Sequence, residues 1–260
     1  MPPAELLAAT LTVALAGMAG TWLVSLVKRD ASVADVFWGL GFVLIALVCC
    51  ARGAGPPARK ILVTGLVALW GLRLSAYLLW RSWAADEDYR YRAMRNRYGS
   101  RFPWVSLWLV FGLQAALMWV VSLPVQVAQA SPLPARLGPL DAAGAILWMV
   151  GVGFEAVGDW QLARFKADPA NRGQVMDSGL WAYTRHPNYF GDTLVWWGLF
   201  AIALATPSGA WTVVGPVVMT YLLMRLSGVP LLERRLVKTR PAYTDYVRRT
   251  SAFVPWPPRA

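Results

Sequence analysis

The sequence predicts an all-α integral membrane protein with seven transmembrane helices. Of the 260 residues, 57% are apolar and only 15% are charged, whereas a soluble domain carries about 25% charged residues. The apolar residues form seven separate segments, and most of the basic residues lie in the loops on one side of them. This composition excludes a soluble enzyme, a disordered tail and a secreted disulfide scaffold, and the adjacent Cys49 and Cys50 cannot build a disulfide framework.

Each apolar segment is about as long as one bilayer crossing. A segment of roughly 18–23 residues covers about 27–35 Å as a helix, against a hydrocarbon core of ~30 Å. The first is not predicted to be a cleaved signal peptide, because Lys28 and Arg29 follow the apolar run instead of preceding it. The predicted spans are 5–27, 34–51, 61–80, 104–123, 141–160, 189–206 and 211–232.

The distribution of basic residues predicts the orientation. The loops at 28–33, 81–103, 161–188 and the tail at 233–260 carry 19 of the 25 lysines and arginines, and the opposite loops carry 4. Because basic loops stay in the cytoplasm, the N-terminus is expected outside and the C-terminus in the cytoplasm. The net charge of +11 then indicates anionic lipid headgroups and a phosphate-bearing ligand, and not nucleic acid.

Ionisable side chains occur inside the predicted spans and share one depth near the cytoplasmic side. Such groups are costly in lipid, at about 2.5–3.5 kcal/mol each, so they are candidates for function. The shared depth of these residues predicts a polar cavity open to the cytosol. Alternatively, each residue could serve only to join helices, and Asp35 could be a simple helix cap. The residues concerned are Asp35, Arg73, Glu155, Asp159, Asp192 and Arg225.

The composition of this predicted cavity fits a large polar cofactor with phosphates. Arginine binds phosphate oxygens as a planar fork, and carboxylates accept hydrogen bonds from ribose hydroxyls or an amide. Asn188, Asp192 and Trp196 follow one another on one helix face. No Walker motif and no zinc-ligand spacing occurs, and Gly151-x-Gly153 is expected to mark close helix packing. The predicted phosphate-binding residues are Arg73, Arg81, Lys166, Arg172 and Arg225.

The most specific local motif is SGLWAYTRHPNYFGD at residues 178–192. Proline disfavours helical geometry in the residue before it, so a helix is expected to restart after His186. The motif resembles the C-terminal signature of the steroid 5α-reductase superfamily of membrane enzymes. Further similarities are Glu155, Asp159, Lys166, Arg225 and the AFVPW tail, and more loosely Asp35-x-x-Trp38-Gly39, the run from Trp70 to Tyr77, and Glu87-Asp88-Tyr89-Arg90-Tyr91.

The resemblance implies a bacterial inner-membrane reductase with its NADPH site facing the cytoplasm. Such an enzyme reduces a carbon–carbon double bond conjugated to a ketone, in a 3-oxo-Δ4 steroid or a similar lipid enone taken from the bilayer. Residues 1–260 would form one membrane domain, with 1–123 on the substrate side and 141–260 on the cofactor side. The predicted cofactor-binding residues are Arg73, Arg81, Glu155, Asp159, Lys166, Arg172, His186, Asn188, Tyr189, Asp192, Trp196, Arg225 and Glu233.

The predicted catalytic residues depart from the family pattern. The family activates the ketone with an acid in the second span and a tyrosine in the third, and Asp35 is the only acid in span two. Trp70 occupies the tyrosine position, so Tyr77 is the nearest phenol. Asp35, in protonated form, and Tyr77 are therefore the predicted catalytic pair, with Trp38, Trp70 and Gln114 facing the substrate.

Two other functions also fit the sequence. Membrane methyltransferases that use S-adenosylmethionine carry a stretch similar to RHPNY, but their sulfonium ligand has no phosphates and needs fewer arginines. A transporter would need charges across the whole membrane, whereas the outer halves of these spans have almost none. The Arg/Tyr clusters at 89–101 and 243–249 are expected to anchor the protein to lipid headgroups or to cover the cofactor.

Overall fold

The computed structural model describes residues 1–83, 85–226 and 228–259, apart from the side chains of Leu231 and Arg235. Within these ranges the regular structure is helical and no strand occurs, which confirms the all-α prediction. Five helical segments are long and apolar enough to cross a membrane, and they correspond to the first five predicted spans. They are Pro3–Lys28, Val33–Arg52, Pro57–Ser82, Tyr89–Val121 and Pro139–Ala167.

The last two predicted spans correspond to shorter helices. The helix Pro187–Leu204 has 18 residues, and the apolar stretch Ala210–Leu226 is shorter than the five long segments. That these two cross the membrane, and that the N-terminus lies outside, remain predictions. The multi-pass membrane character rests on the five long segments.

The chain divides into two compact units. Unit 1 comprises residues 1–141 and 202–215, and unit 2 comprises residues 142–201 and 216–260. The α-helices of unit 1 are α1 (Pro3–Lys28), α2 (Val33–Arg52), α3 (Pro57–Ser82), α4 (Tyr89–Tyr98), α5 (Phe102–Ser106), α6 (Leu113–Val121) and α7 (Leu123–Ala130). Unit 2 contains most of α8 (Pro139–Ala167), α9 (Pro187–Leu204) and α10 (Val214–Tyr221), with α11 (Val229–Thr239) and α12 (Tyr243–Arg249).

In unit 1, α1 and α3 both pack against α2. Gly39 of α2 lies against the backbone of Gly71 in α3, so that a Cβ on either residue would meet the other's carbonyl group. Ser75 strengthens this contact, because its hydroxyl donates to the Val36 carbonyl at 2.7 Å and accepts from the Leu40 amide at 3.0 Å. Small residues thus let two backbones approach closely, as in other membrane helix pairs.

The fourth helical segment begins well before the predicted span. The sequence predicts a span at 104–123, but helical structure starts at Tyr89 and runs through α4, α5, a π-helical segment at Leu107–Gly112 and α6. Asp88 caps this segment, because its carboxylate accepts from the Arg90 amide at 2.9 Å. Helical structure, which starts with the capped, arginine-rich α4 and continues to residue 103, therefore occupies most of the predicted loop 81–103.

The stretch between the predicted spans 104–123 and 141–160 was expected to be a loop, and this was wrong for its first part. Residues 123–130 form α7, and Leu123 through Gln129 are buried. The two glutamines of this helix satisfy their polar groups internally: Gln126 accepts from the Thr10 hydroxyl at 2.6 Å, and Gln129 accepts from the Thr64 hydroxyl at 3.1 Å. Paired amides make the burial of this helix possible.

In unit 2, α8 and α9 approach closely at small residues. A Cβ added to Gly151 would lie 2.6 Å from the Gly191 carbonyl oxygen, which confirms the expected close packing at Gly151. Gly153 has nothing within 4 Å of an added Cβ, so it takes no part in that contact. The close approach holds the buried face of α8 against the start of α9, where the RHPNY motif lies.

Candidate functional site

The first turn of α2 carries a carboxylate with two close hydrogen-bond donors. The Tyr91 hydroxyl donates to Asp35 Oδ1 at 2.7 Å, and Arg90 Nη2 donates to Asp35 Oδ2 at 2.8 Å. Tyr91 is buried, whereas the side chains of Asp35 and Arg90 are each 33% exposed. The buried Tyr91 phenol thus holds the Asp35 carboxylate, and part of the carboxylate surface stays accessible to a ligand.

The segment before α4 brings Tyr91 to this position. The Asp88 amide donates to the Ser32 hydroxyl at 2.8 Å, and Glu87 accepts from the Ala31 amide at 2.9 Å. Both bonds attach the start of α4 to the residues just before α2. Burial would raise the pKa of Glu87, but hydrogen bonds from Arg95 and from the Ala31 amide outweigh it and lower that pKa.

The hydrogen bonds continue from Tyr91 toward an aromatic cluster. Gln114 Nε2 donates to the Tyr91 hydroxyl at 3.0 Å, and Gln114 Oε1 accepts from the Trp38 indole at 2.5 Å. The ring centroids of Trp38 and Phe42 are 5.5 Å apart, and those of Phe42 and Trp70 are 5.7 Å apart. Trp70 is fully buried. We call the set Trp38, Gln114, Tyr91, Asp35 and Arg90 the Asp35 network.

The Asp35 network contains three predicted residues and two that the sequence analysis did not select. Asp35, Trp38 and Gln114 were predicted, and Tyr91 and Arg90 were not. Tyr77, the predicted catalytic phenol, lies beside two arginines: its ring centroid is 5.8 Å from the guanidinium carbon of Arg73 and 5.8 Å from that of Arg81. A signal for Tyr91 was present, because it ends the run Glu87-Asp88-Tyr89-Arg90-Tyr91, which resembles the family.

In unit 2, the predicted polar residues gather around α8 and the start of α9. Glu155 and Asp159 are both buried, one helical turn apart on α8. Asn188 donates its amide to Asp159 Oδ1 at 3.2 Å and accepts from the Tyr189 backbone amide at 3.1 Å. Asp192 and the fully buried Trp196 follow Asn188 along α9 at intervals of one turn.

The RHPNY motif at residues 185–189 is hydrogen bonded to the C-terminal helices of unit 2. Arg185 donates to both carboxylate oxygens of Glu233, at 2.7 and 3.2 Å, and to the carbonyls of Val247 and Thr250 at 3.1 and 2.5 Å. His186 Nε2 lies 3.0 Å from Glu233 Oε1. Glu233, predicted to bind the cofactor, therefore has two partners within the protein. Arg185 was missed, although it belongs to the motif.

Burial and this pairing set the pKa values of the two ionisable groups beside Arg185. Burial lowers the pKa of His186, and the contact with Glu233 offsets this only in part. Burial would raise the pKa of Glu233, but hydrogen bonds from His186 and Arg185 prevail and lower it. The His186 ring stacks on Tyr189 at 5.3 Å, and its buried Nδ1 has no hydrogen-bond partner among the residues the structure describes.

The predicted phosphate-binding residues are more exposed. Lys166, Arg172 and Arg225 are exposed in unit 2. In unit 1, Arg81 is exposed and Arg73 is half-buried. The side chains are thus accessible to an anion, and their predicted convergence on one ligand stays a prediction.

One comparison with known proteins gives a match. A family model described as "Protein of unknown function (DUF1295)" matches residues 21–250, a range that includes both the Asp35 network and the contact between Arg185 and Glu233. No curated protein and no solved structure matches the chain significantly.

Proposed function

We propose a reductase function for this chain, which belongs to the DUF1295 family, described as proteins of unknown function. The proposed reaction is the NADPH-dependent reduction of a carbon–carbon double bond conjugated to a ketone, in a 3-oxo-Δ4 steroid or a similar lipid enone. The observation that carries the proposal is the 2.7 Å hydrogen bond from Tyr91 to Asp35. An acid paired with a buried phenol resembles the ketone-activating pair of the steroid 5α-reductase superfamily, with Tyr91 as the phenol instead of Tyr77.

The network can stabilise the charge that develops on a ketone oxygen. NADPH, when bound, supplies the hydride for the β-carbon, and the α-carbon takes its proton from water. In the proposed reactive state Asp35 keeps a proton and donates a hydrogen bond to the Tyr91 oxygen, which leaves the phenol O–H free to donate a hydrogen bond to the substrate oxygen. One such donor in a dry site contributes about 2.7–4 kcal/mol to the transition state. Gln114 orients the phenol through its 3.0 Å contact.

The polar groups of unit 2 suit a dinucleotide. The buried carboxylates Glu155 and Asp159 and the Asn188 amide match ribose hydroxyls and a carboxamide. The buried Nδ1 of His186 is a polar atom that a bound group would satisfy. The accessible Lys166 and Arg172 would bind phosphate oxygens. These features support NADPH over a ligand that lacks phosphates.

The experiment measures NADPH oxidation by the purified protein with a panel of lipid enones. Tyr91→Phe is expected to lower kcat by about 100- to 1000-fold, because it removes one oxyanion donor. Tyr98→Phe is the matched control, since Tyr98 lies on the same helix and its ring contacts Arg97 instead of Asp35. Equal activity of Tyr91→Phe and the wild type would disprove the proposed role of the phenol.

A binding measurement separates this proposal from the methyltransferase alternative. NADPH is expected to raise the unfolding temperature of the protein in detergent. Stabilisation by S-adenosylmethionine alone, with no enone reduced, would reject the reductase.

The proposed topology has seven spans with the cofactor side in the cytoplasm of a bacterial inner membrane. The excess of basic residues in the loops at 28–33, 81–103, 161–188 and 233–260 supports it. Topology reporters fused at residues 100 and 175 are expected to report a cytoplasmic location. A periplasmic signal at either position would contradict the proposed orientation.

A further inference from the structure

A groove of about 690 Å³ runs along unit 1, over α2 and between α1 and α3. On α2 it is lined by Val33, Val36, Phe37 and Leu40. Asp35 does not line it, because it lies on another face of the same helix. The groove is therefore separate from the Asp35 network, and the proposed reaction does not use it.

The walls of the groove are apolar and its length matches one leaflet. Val24 of α1 and Leu79 of α3 line it together with the α2 face. The one hydroxyl of the α1 wall is satisfied internally, since Thr21 donates to the Gly17 carbonyl at 2.9 Å. From Gly17 to Lys28 the groove follows eleven residues of α1, which is about 16 Å of helix. This is about half of a ~30 Å hydrocarbon core, the depth that one lipid acyl chain reaches.

The mouth of the groove carries one charge of each sign. Lys28 ends α1, and Asp30 follows two residues later. Asp30 Oδ1 accepts from the Ser32 amide at 2.8 Å, which fixes the carboxylate beside the mouth. An ammonium and a carboxylate at one opening are complementary to a headgroup with a phosphate and an amine. A primary ammonium can donate N–H hydrogen bonds to Asp30, whereas the quaternary ammonium of choline has no N–H to donate.

We propose that this groove binds one phosphatidylethanolamine molecule. An acyl chain lies along the α2 face between Phe37 and Leu40, the phosphate contacts Lys28, and the ammonium contacts Asp30. The lipid fills the space between α1 and α3, two helices that both pack on α2, and thereby stabilises unit 1.

Two glycines provide a matched test of the acyl-chain position. Gly20 lines the groove, and Gly65 lies in α3 outside it. Both are exposed helical glycines with nothing within 4 Å of an added Cβ, so each position has open space where a side chain begins. Gly20→Leu would place its side chain in the groove, whereas Gly65→Leu would not.

The measurement is a titration of the full chain in neutral detergent with phosphatidylethanolamine, phosphatidylglycerol or phosphatidylcholine, followed by native mass spectrometry. Phosphatidylethanolamine is expected to bind at least about tenfold more tightly than the other two. Gly20→Leu is expected to weaken this binding about tenfold, and Gly65→Leu to leave it unchanged. If Gly20→Leu fails to fold, Val24→Trp on the same wall repeats the test.

The charged mouth is tested with Asp30→Asn, which keeps an oxygen for the Ser32 amide. This variant is expected to lose the preference for phosphatidylethanolamine over phosphatidylcholine and to keep the affinity for phosphatidylglycerol. Unchanged phosphatidylethanolamine binding in Gly20→Leu, or equal binding of the three lipids to the wild type, would overturn the proposal. The outcome is independent of the reductase, because neither variant alters the Asp35 network.

Discussion

Arg185 and Glu233 form a forked ion pair in which both carboxylate oxygens accept hydrogen bonds, at 2.7 and 3.2 Å. Because Arg185 also donates to the carbonyls of Val247 and Thr250, one guanidinium joins the RHPNY motif to α11 and to the end of α12. Only 9% of the Arg185 side chain and 18% of the Glu233 side chain are exposed, so water replaces these bonds poorly when they are broken.

Arg185→Lys is expected to destabilise the protein by about 2–3 kcal/mol, because lysine cannot form the fork or reach all of these acceptors. Thermal unfolding in detergent measures the change. Arg172→Lys, at an exposed arginine, is the control and is expected to have no effect. Equal unfolding temperatures for the two variants would contradict the structural role of Arg185.

Stability is expected to fall as the pH decreases below about 6.5, the ordinary pKa of histidine. Burial lowers the pKa of His186 in the folded protein, and its partners lower the pKa of Glu233, so the unfolded chain binds protons that the folded chain does not. The free energy of unfolding therefore rises with pH through the titration ranges of His186 and Glu233, and it falls in acid. Unfolding temperatures measured over this pH range check it, with Glu233→Gln expected to remove only the slope that Glu233 contributes below its ordinary pKa of 4.5. A wild-type curve without slope would disprove the linkage.

Asp141→Ala is expected to cost unit 1 about 3–5 kcal/mol, since it leaves the charge of Arg59 buried without its partner. The two side chains are 0% and 1% exposed and meet at 2.9 Å. Replacing both residues with apolar ones, as Arg59→Met with Asp141→Leu, is expected to restore part of the loss. Asp245→Ala, which breaks an exposed ion pair with Arg248, is the control and should leave the unfolding temperature unchanged.

Gly151→Leu is expected to disrupt unit 2, because a Cβ at Gly151 would already lie 2.6 Å from the Gly191 carbonyl oxygen. A Cβ at Gly153, two residues along the same helix, has nothing within 4 Å, so Gly153→Leu should be tolerated. The yield of monodisperse protein from detergent extracts compares the two. Similar yields would show that the close approach of α8 and α9 is not required.

Gln114→Leu is expected to lower the kcat of the proposed reductase about tenfold while changing KM little, because it removes the donor that orients Tyr91. The measurement is the rate of NADPH oxidation as a function of enone concentration, which gives kcat and KM separately. A change confined to KM would instead place Gln114 in substrate binding.

The sequence predicted the helical membrane architecture well and the hydrogen-bonded pairs poorly. Hydropathy locates the long apolar segments, and five of the seven predicted spans match long apolar helices. It does not reveal that Gln126 can be buried through a bond to Thr10, so α7 was taken for a loop. The acid at Asp35 was identified, but its phenol was sought in the span that resembled the family pattern, whereas Tyr91 comes from a helix that Asp88 starts inside a predicted loop.

The attachment of the segment before α4 to the start of α2 means that the Asp35 carboxylate is preorganised. The Ser32 hydroxyl accepts from the Asp88 amide and the Glu87 carboxylate accepts from the Ala31 amide, so the phenol is in position without any contribution from a ligand. Dipoles that are fixed in advance spend little free energy on reorientation when charge appears on a bound molecule. In the proposed reaction an entering ketone would therefore meet a field that already exists, and loosening the turn before α4 would slow that proposed reaction even with every network residue intact.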